Sequence, residues 1–130
     1  MTRPSPDPLD NSDLVLDPPP EVRLRGACLC LHGLGGGPYE VQPLTRALAR
    51  HGYRVMCRKY PGHTGTGDKM PPSRWEQWYE FSVENVRELR AGLPEGLPLS
   101  YIGSSTGCPL AVVLAHEAPP ARLVLLPSNA

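Results

Sequence analysis

Ser105 lies in Gly103-Ser104-Ser105-Thr106-Gly107, a G-x-S-x-G pattern set between a run of β-formers and a stretch of helical period. A serine on such a strand-to-helix turn has its hydroxyl lifted clear of the backbone, where it can attack a carbonyl carbon. Gly103 and Gly107 suit the bend, because its neighbours have little room for a Cβ. The bare pattern also has a plain reading in a chain with 13 glycines, a turn softened by glycine. A second feature converges on it. His32-Gly33 closes a buried strand and is followed by Leu34-Gly35-Gly36-Gly37, which brings the Leu34 N–H to the same sheet edge. Together with the Thr106 N–H it can cradle a developing oxyanion, and two donors from two loops are what acyl transfer through a tetrahedral intermediate requires. Nucleotide-binding loops fit less well. G-x-G-x-x-G would need glycine where the chain has Pro38, and no Gly-Lys pair exists for a Walker A loop. No cofactor is expected.

These residues need a scaffold, and the chain alternates short β-rich apolar runs with helical stretches, the pattern of an α/β protein with a parallel sheet and helices on both faces. Ala27-Cys28-Leu29-Cys30-Leu31 is apolar throughout, as expected for a strand buried on both faces. A helix is expected from about Val41, with Pro43 in its first turn and Leu44, Ala47 and Leu48 inward. A strand over residues 53–60 runs into the loop Pro61-Gly62-His63-Thr64-Gly65-Thr66-Gly67-Asp68. Ser73-Arg74-Trp75-Glu76 reads as a capping box opening a helix with a stripe of Trp75, Tyr79, Val83, Val86 and Leu89. The strand over residues 99–102 leads into Ser105, a helix follows to about Ala118, and a last strand covers residues 122–126.

Composition sets the outer bounds. The 130 residues make one domain, and 13 basic against 13 acidic side chains leave no net charge with which to bind a phosphate backbone, so no nucleic acid partner is expected. No run of 18 apolar residues occurs, so no membrane span is expected. The N-terminus lacks an apolar signal region, which makes the cytoplasm the default location. Cys28, Cys30, Cys57 and Cys108 sit in apolar runs without C-x-x-C spacing and read as buried reduced thiols, with no metal site. Six of the 17 prolines fall in residues 1–20, which read as a Pro-rich extended arm with a short edge strand at Leu14-Val15-Leu16; residues 21–130 form the folded unit.

As a set, Leu31-His32-Gly33-Leu34-Gly35-Gly36, Tyr60-Pro61-Gly62-His63-Thr64-Gly65, Trp75 with Trp78, and the turn from Gly103 to Gly107 resemble the α/β-hydrolase family, on the side of bacterial carboxylesterases and monoacylglycerol lipases. The resemblance covers residues 26–130. It implies a serine hydrolase of esterase or lipase type acting on a small-molecule ester or acyl substrate, with Ser105 as nucleophile and the Leu34 and Thr106 amides as oxyanion hole. His32, Gly33, Gly103 and Gly107 support the motif. His63, Trp75 and Trp78 are given structural roles.

In this family the acid and the histidine follow the serine along the chain. After Ser105 come His116 and Glu117, the one histidine and one acidic residue there. His116 is eleven residues on, roughly 16 Å along a helix, whereas a base must come within about 3 Å of its proton. The chain therefore reads as the N-terminal half of a serine hydrolase, truncated after the strand that follows the serine's helix, with a sheet and lid that continue in the family absent. It is expected to be inactive alone and marginally stable, poorly soluble or dependent on a complementing C-terminal segment or on self-association through the exposed edge strand. Two alternatives stand beside it: a non-catalytic α/β module binding a ligand or partner, and a minimal hydrolase using His63 and Asp68.

Overall fold

The structure, a computed structural model, describes residues 11–62 and 74–127. Five strands form one sheet: β1 (Leu14–Leu16), β2 (Gly26–Leu31), β3 (Tyr53–Cys57), β4 (Leu99–Ser104) and β5 (Arg122–Leu126), in the spatial order β1-β3-β2-β4-β5. β2 to β5 are mutually parallel and β1 runs antiparallel at the β3 edge. The helices are α1 (Gln42–Arg50), entered through a 3₁₀ turn at Pro38–Val41, α2 (Trp75–Gly92) and α3 (Gly107–Glu117). This is the α/β class, with a mostly parallel sheet, that the alternating pattern implies.

β2 explains the two-layer packing. Every residue of it is buried, and successive side chains point to opposite faces. Ala27, Leu29 and Leu31 pack under α2 and α3 with Val86, Leu89, Leu110, Ala111 and Leu114. Cys28 and Cys30 face α1, joining Val41, Ala49, Val55, Cys57 and Ile102. The three cysteines of this second core are buried free thiols, and burial raises their pKa: Cys28 to about 11, Cys57 to about 12, and Cys30 well above its ordinary value, with neighbouring Cys57 and Cys28 adding to the rise.

Chain direction fixes where a site can form. From β2 the chain crosses to β3 on one side, then returns past β2 to β4 on the other, so the loops leaving the C-terminal ends of β2 and β4 diverge. Such a reversal opens a crevice at the strand ends, where ligands of open α/β sheets bind. The loop beginning at His32 and the turn holding Ser105 are those two loops.

Several local expectations shift. α1 turns Thr45 and Ala49 to the core, with Leu44 and Leu48 half-buried beside them, in place of a face through Ala47; the Thr45 hydroxyl is satisfied within the helix by donating to the Gln42 carbonyl at 3.0 Å. β3 stops at Cys57, opposite Leu14 where β1 begins, and Arg58 turns away to Glu88 at 2.5 Å. α2 starts at Trp75, with Arg74 at the cap, and Gln77 in place of Glu76 accepts the Arg74 N–H at 2.8 Å. An arginine side chain has no acceptor, so only this half of a capping box can form; Ser73 lies outside the described residues, as do His63 and Asp68. Trp75 is exposed and stacks on Tyr79, while Trp78 is half-buried and donates to the Pro61 carbonyl at 3.3 Å.

Both margins of the sheet differ from a bare core. At one, residues 14–16 pair as the short edge strand expected there: Leu14 is buried, Asp17 binds Arg54 at 2.6 Å, and Asp13 accepts the Lys59 N–H at 2.9 Å. At the other, Leu123, Val124, Leu125 and Leu126 of β5 are 37–42% exposed. Among the described residues no helix is long and apolar enough to cross a membrane.

Candidate active site

Ser105 sits at φ 54, and among the described residues no other non-glycine residue has a positive φ. A side chain there costs on the order of 1–3 kcal/mol and persists only where the surroundings impose it. Here they do. The Ser105 N–H donates to the Leu126 carbonyl at 2.8 Å, and its own carbonyl accepts the Cys108 N–H at 3.0 Å, closing the first turn into α3. The flanking glycines are set by contact: a Cβ on Gly107 would lie 2.2 Å from the Leu31 carbonyl oxygen and 2.7 Å from that of His32, and one on Gly103 would lie 2.9 Å from Cys108 Cα, the Gly107 oxygen and Ala111 Cβ. α3 therefore starts hard against the end of β2.

That approach brings the two loops together. The Leu34 N–H donates to Thr106 Oγ1 at 2.5 Å. Ser105 Cβ and Thr106 Oγ1 each stand 3.4 Å from the point a Gly33 Cβ would occupy. The predicted donor Leu34 and the residue after Ser105 thus meet, although the amide addresses the threonine side chain and not open space.

His32 is fully buried. Its Nδ1 lies 2.8 Å from the Gly33 carbonyl, which can only accept, so Nδ1 carries the proton. The ring stacks on Tyr60 at 4.0 Å between centroids, and the Tyr60 hydroxyl donates to the His32 carbonyl at 2.6 Å. Burial pushes the Tyr60 hydroxyl well above its ordinary pKa, so it stays a donor. This stack lies beneath the loop that carries the Leu34 amide.

His116 and Glu117 end α3, at the opposite end of the sheet from Ser105, since β5 begins just beyond them. His116 is exposed, and Glu117 accepts the Tyr79 hydroxyl, a bond that raises the Tyr79 pKa to about 12. His51 follows α1 at that same far end.

Two side chains absent from the sequence reading also reach the loop. Glu40 Oε2 accepts the Gly33 N–H at 3.3 Å, and Asn11 Oδ1 accepts the Tyr39 N–H at 3.4 Å. The run of glycines ahead of Glu40 was the available signal for the first; Asn11 left none, because its contact spans 28 residues.

A model of the alpha/beta hydrolase fold matches residues 27–128. The thermostable monoacylglycerol lipase of Bacillus sp. (strain H-257) is 29% identical over 92 residues, which are 70% of this chain and 35% of that protein. Among solved structures, one of the metagenome-derived lipolytic enzymes LipS and LipT superposes with a TM-score of 0.72 at 28% identity, covering 90% of this chain and 44% of the other. A highly thermostable carboxyl esterase from Bacillus coagulans, in complex with glycerol, gives 0.70 at 20% identity over 84% and 37% and shares the fold. The chain thus spans about a third of the curated relative it matches and less than half of these structures. With the fold model covering the sheet from β2 to β5 and the serine turn between β4 and α3, the chain belongs to the α/β-hydrolase family.

Proposed function

We propose that this chain supplies the nucleophile side of a carboxylic ester hydrolase. In this reading Ser105 Oγ adds to the ester carbonyl carbon while its proton passes to a base, and the carbonyl oxygen becomes an oxyanion held by the Leu34 and Thr106 amides. Collapse expels the alcohol, which takes up the proton, and leaves Ser105 acylated; water then releases the acid and restores the serine. The observation that carries the reading is the strained Ser105 turn facing the Leu34 amide. Substrate oxygen must displace the Thr106 hydroxyl from that amide, which rotation about the threonine Cα–Cβ bond allows.

The base and its carboxylate are assigned to sequence outside this chain, supplied by a complementing segment that packs on β5. The open apolar margin of β5 supports this, as does the share of each relative left without a counterpart. Cys28, Cys30 and Cys57, buried as free thiols, fit a reducing cytoplasmic compartment.

The test is fluorophosphonate labelling and p-nitrophenyl ester turnover, for the chain alone and for the chain mixed with or fused to the C-terminal part of the Bacillus sp. (strain H-257) lipase. The chain alone should label weakly. The complemented protein should label at Ser105 and lose both signals with Ser105→Ala. A folded complemented protein that neither labels nor turns over ester refutes the proposal. It would favour a non-catalytic binding module, the reading to which the internally satisfied Leu34 amide lends support.

A further inference from the structure

Residues 33–37 hold four glycines around Leu34, and polar side chains from elsewhere fill the space over three of them. A Cβ on Gly36 would stand 1.5 Å from Glu40 Oε1 and 2.6 Å from its Cδ; a Cβ on Gly33 would stand 3.3 Å from Glu40 Oε2. Over Gly37 the occupant is Asn11, whose Oδ1 would lie 2.0 Å from a Cβ. The fourth, Gly35, has φ +76 and open space around it, the third position of a turn closed by the Gly36 N–H on the Gly33 carbonyl at 3.1 Å. The glycines are therefore a seat for Glu40 as much as a source of freedom.

The seat has a directional consequence. Glu40 holds Gly33 by its N–H, while the Gly33 carbonyl accepts from His32 Nδ1 and from Gly36. In a planar trans peptide the C=O and the next N–H point opposite ways, so fixing Gly33 at both ends aims the Leu34 N–H away from His32 and toward Thr106. Glu40 Oε2, Ser105 Cβ and Thr106 Oγ1 stand 3.3, 3.4 and 3.4 Å from one point, the missing methyl of Gly33. The carboxylate thus faces the nucleophile across the space of one absent side chain.

We propose that Glu40 is the positioning residue of this loop: seated over Gly33 and Gly36, it holds the Gly33 amide and thereby presents the Leu34 amide to the Ser105 side. The proposal rests on the reading of Leu34 as oxyanion donor for its functional meaning, but not for its test. The ¹⁵N-labelled full chain is compared with Glu40→Ala, Glu40→Gln and Thr106→Val. Glu40→Ala should speed Gly33 amide exchange about tenfold, the loss of one part-buried hydrogen bond, and should shift the Leu34 amide resonance to its position in Thr106→Val. Glu40→Gln keeps an acceptor in the seat and should hold both near wild type, while β2 and β4 amides stay protected in all variants. An unmoved Leu34 resonance in Glu40→Ala overturns the proposal. So does loss of protection throughout the sheet, or a Glu40→Gln chain that behaves like Glu40→Ala. If the complemented protein fails to label Ser105 while the Leu34 resonance responds as expected, the hydrolase reading falls and the positioning role of Glu40 stands.

Discussion

Replacing Gly107 by alanine tests the contact that assembles the site. The new Cβ would meet the Leu31 carbonyl oxygen at 2.2 Å, and both partners are backbone, one in the central strand and one in the first turn of α3. Neither can rotate away, so α3 must retreat by about 1 Å, a misplacement of the size that costs on the order of a hundredfold in catalysis where reacting groups are aligned. Overpacking of a rigid site costs about 1–3 kcal/mol, and the backbone partners place this case at the upper end, a large fraction of the 5–15 kcal/mol typical of a domain. Gly103→Ala, whose closest approaches are 2.9 Å, should cost less. Gly96→Ala, with open space but φ +89, should cost about 1 kcal/mol from backbone conformation alone. Urea unfolding followed by tryptophan emission ranks the three, and the Leu34 amide resonance reports whether Thr106 still reaches it. A Gly107→Ala chain within about 0.5 kcal/mol of wild type, with that resonance unmoved, refutes the idea that α3 is held by contact with β2.

Three further outcomes follow from the core and the margins. The folded state raises the pKa of Cys28 to about 11 and of Cys57 to about 12 from an ordinary 9.0, so folding favours the protonated thiols; their contribution is complete below pH 9, is lost as pH climbs toward 11–12, and should appear as a falling urea midpoint across that window. Tyr60→Phe removes the hydroxyl that donates to the His32 carbonyl and should destabilise by about 0.5–1.5 kcal/mol in the same unfolding assay. Lysine at Leu123 and Leu125 should shift sedimentation of the isolated chain toward monomer, because β5 presents an open apolar edge; a wild-type chain that is already a monodisperse monomer with a sharp melt removes the premise.

What the sequence revealed was the part written in neighbouring residues. β2 was legible because a strand buried on both faces must be apolar throughout, and Gly103 and Gly107 stood out by their spacing around Ser105, although what excludes a Cβ at Gly107 is the backbone at the end of β2. The helix face of α1 and the start of α2 were less so: Thr45 is buried only because its hydroxyl finds the Gln42 carbonyl, and Gln77 caps only because the helix begins one residue later than the Ser-x-x-Glu spacing suggests. The loop at residues 33–37 shows the limit most clearly. Read locally, four glycines mean freedom. In the fold, three of them are spaces shaped for Glu40 and for Asn11, and Asn11 is brought there by the segment just ahead of β1, which pairs with β3 far along the chain (Leu14 with Cys57). A glycine removed to admit another side chain and a glycine kept for flexibility are identical letters. The distinction has a consequence for any variant of this loop: alanine at Gly36 would displace the Glu40 carboxylate and should reproduce the Glu40→Ala resonance shift at Leu34, whereas alanine at Gly35 meets open space and should cost only its positive φ.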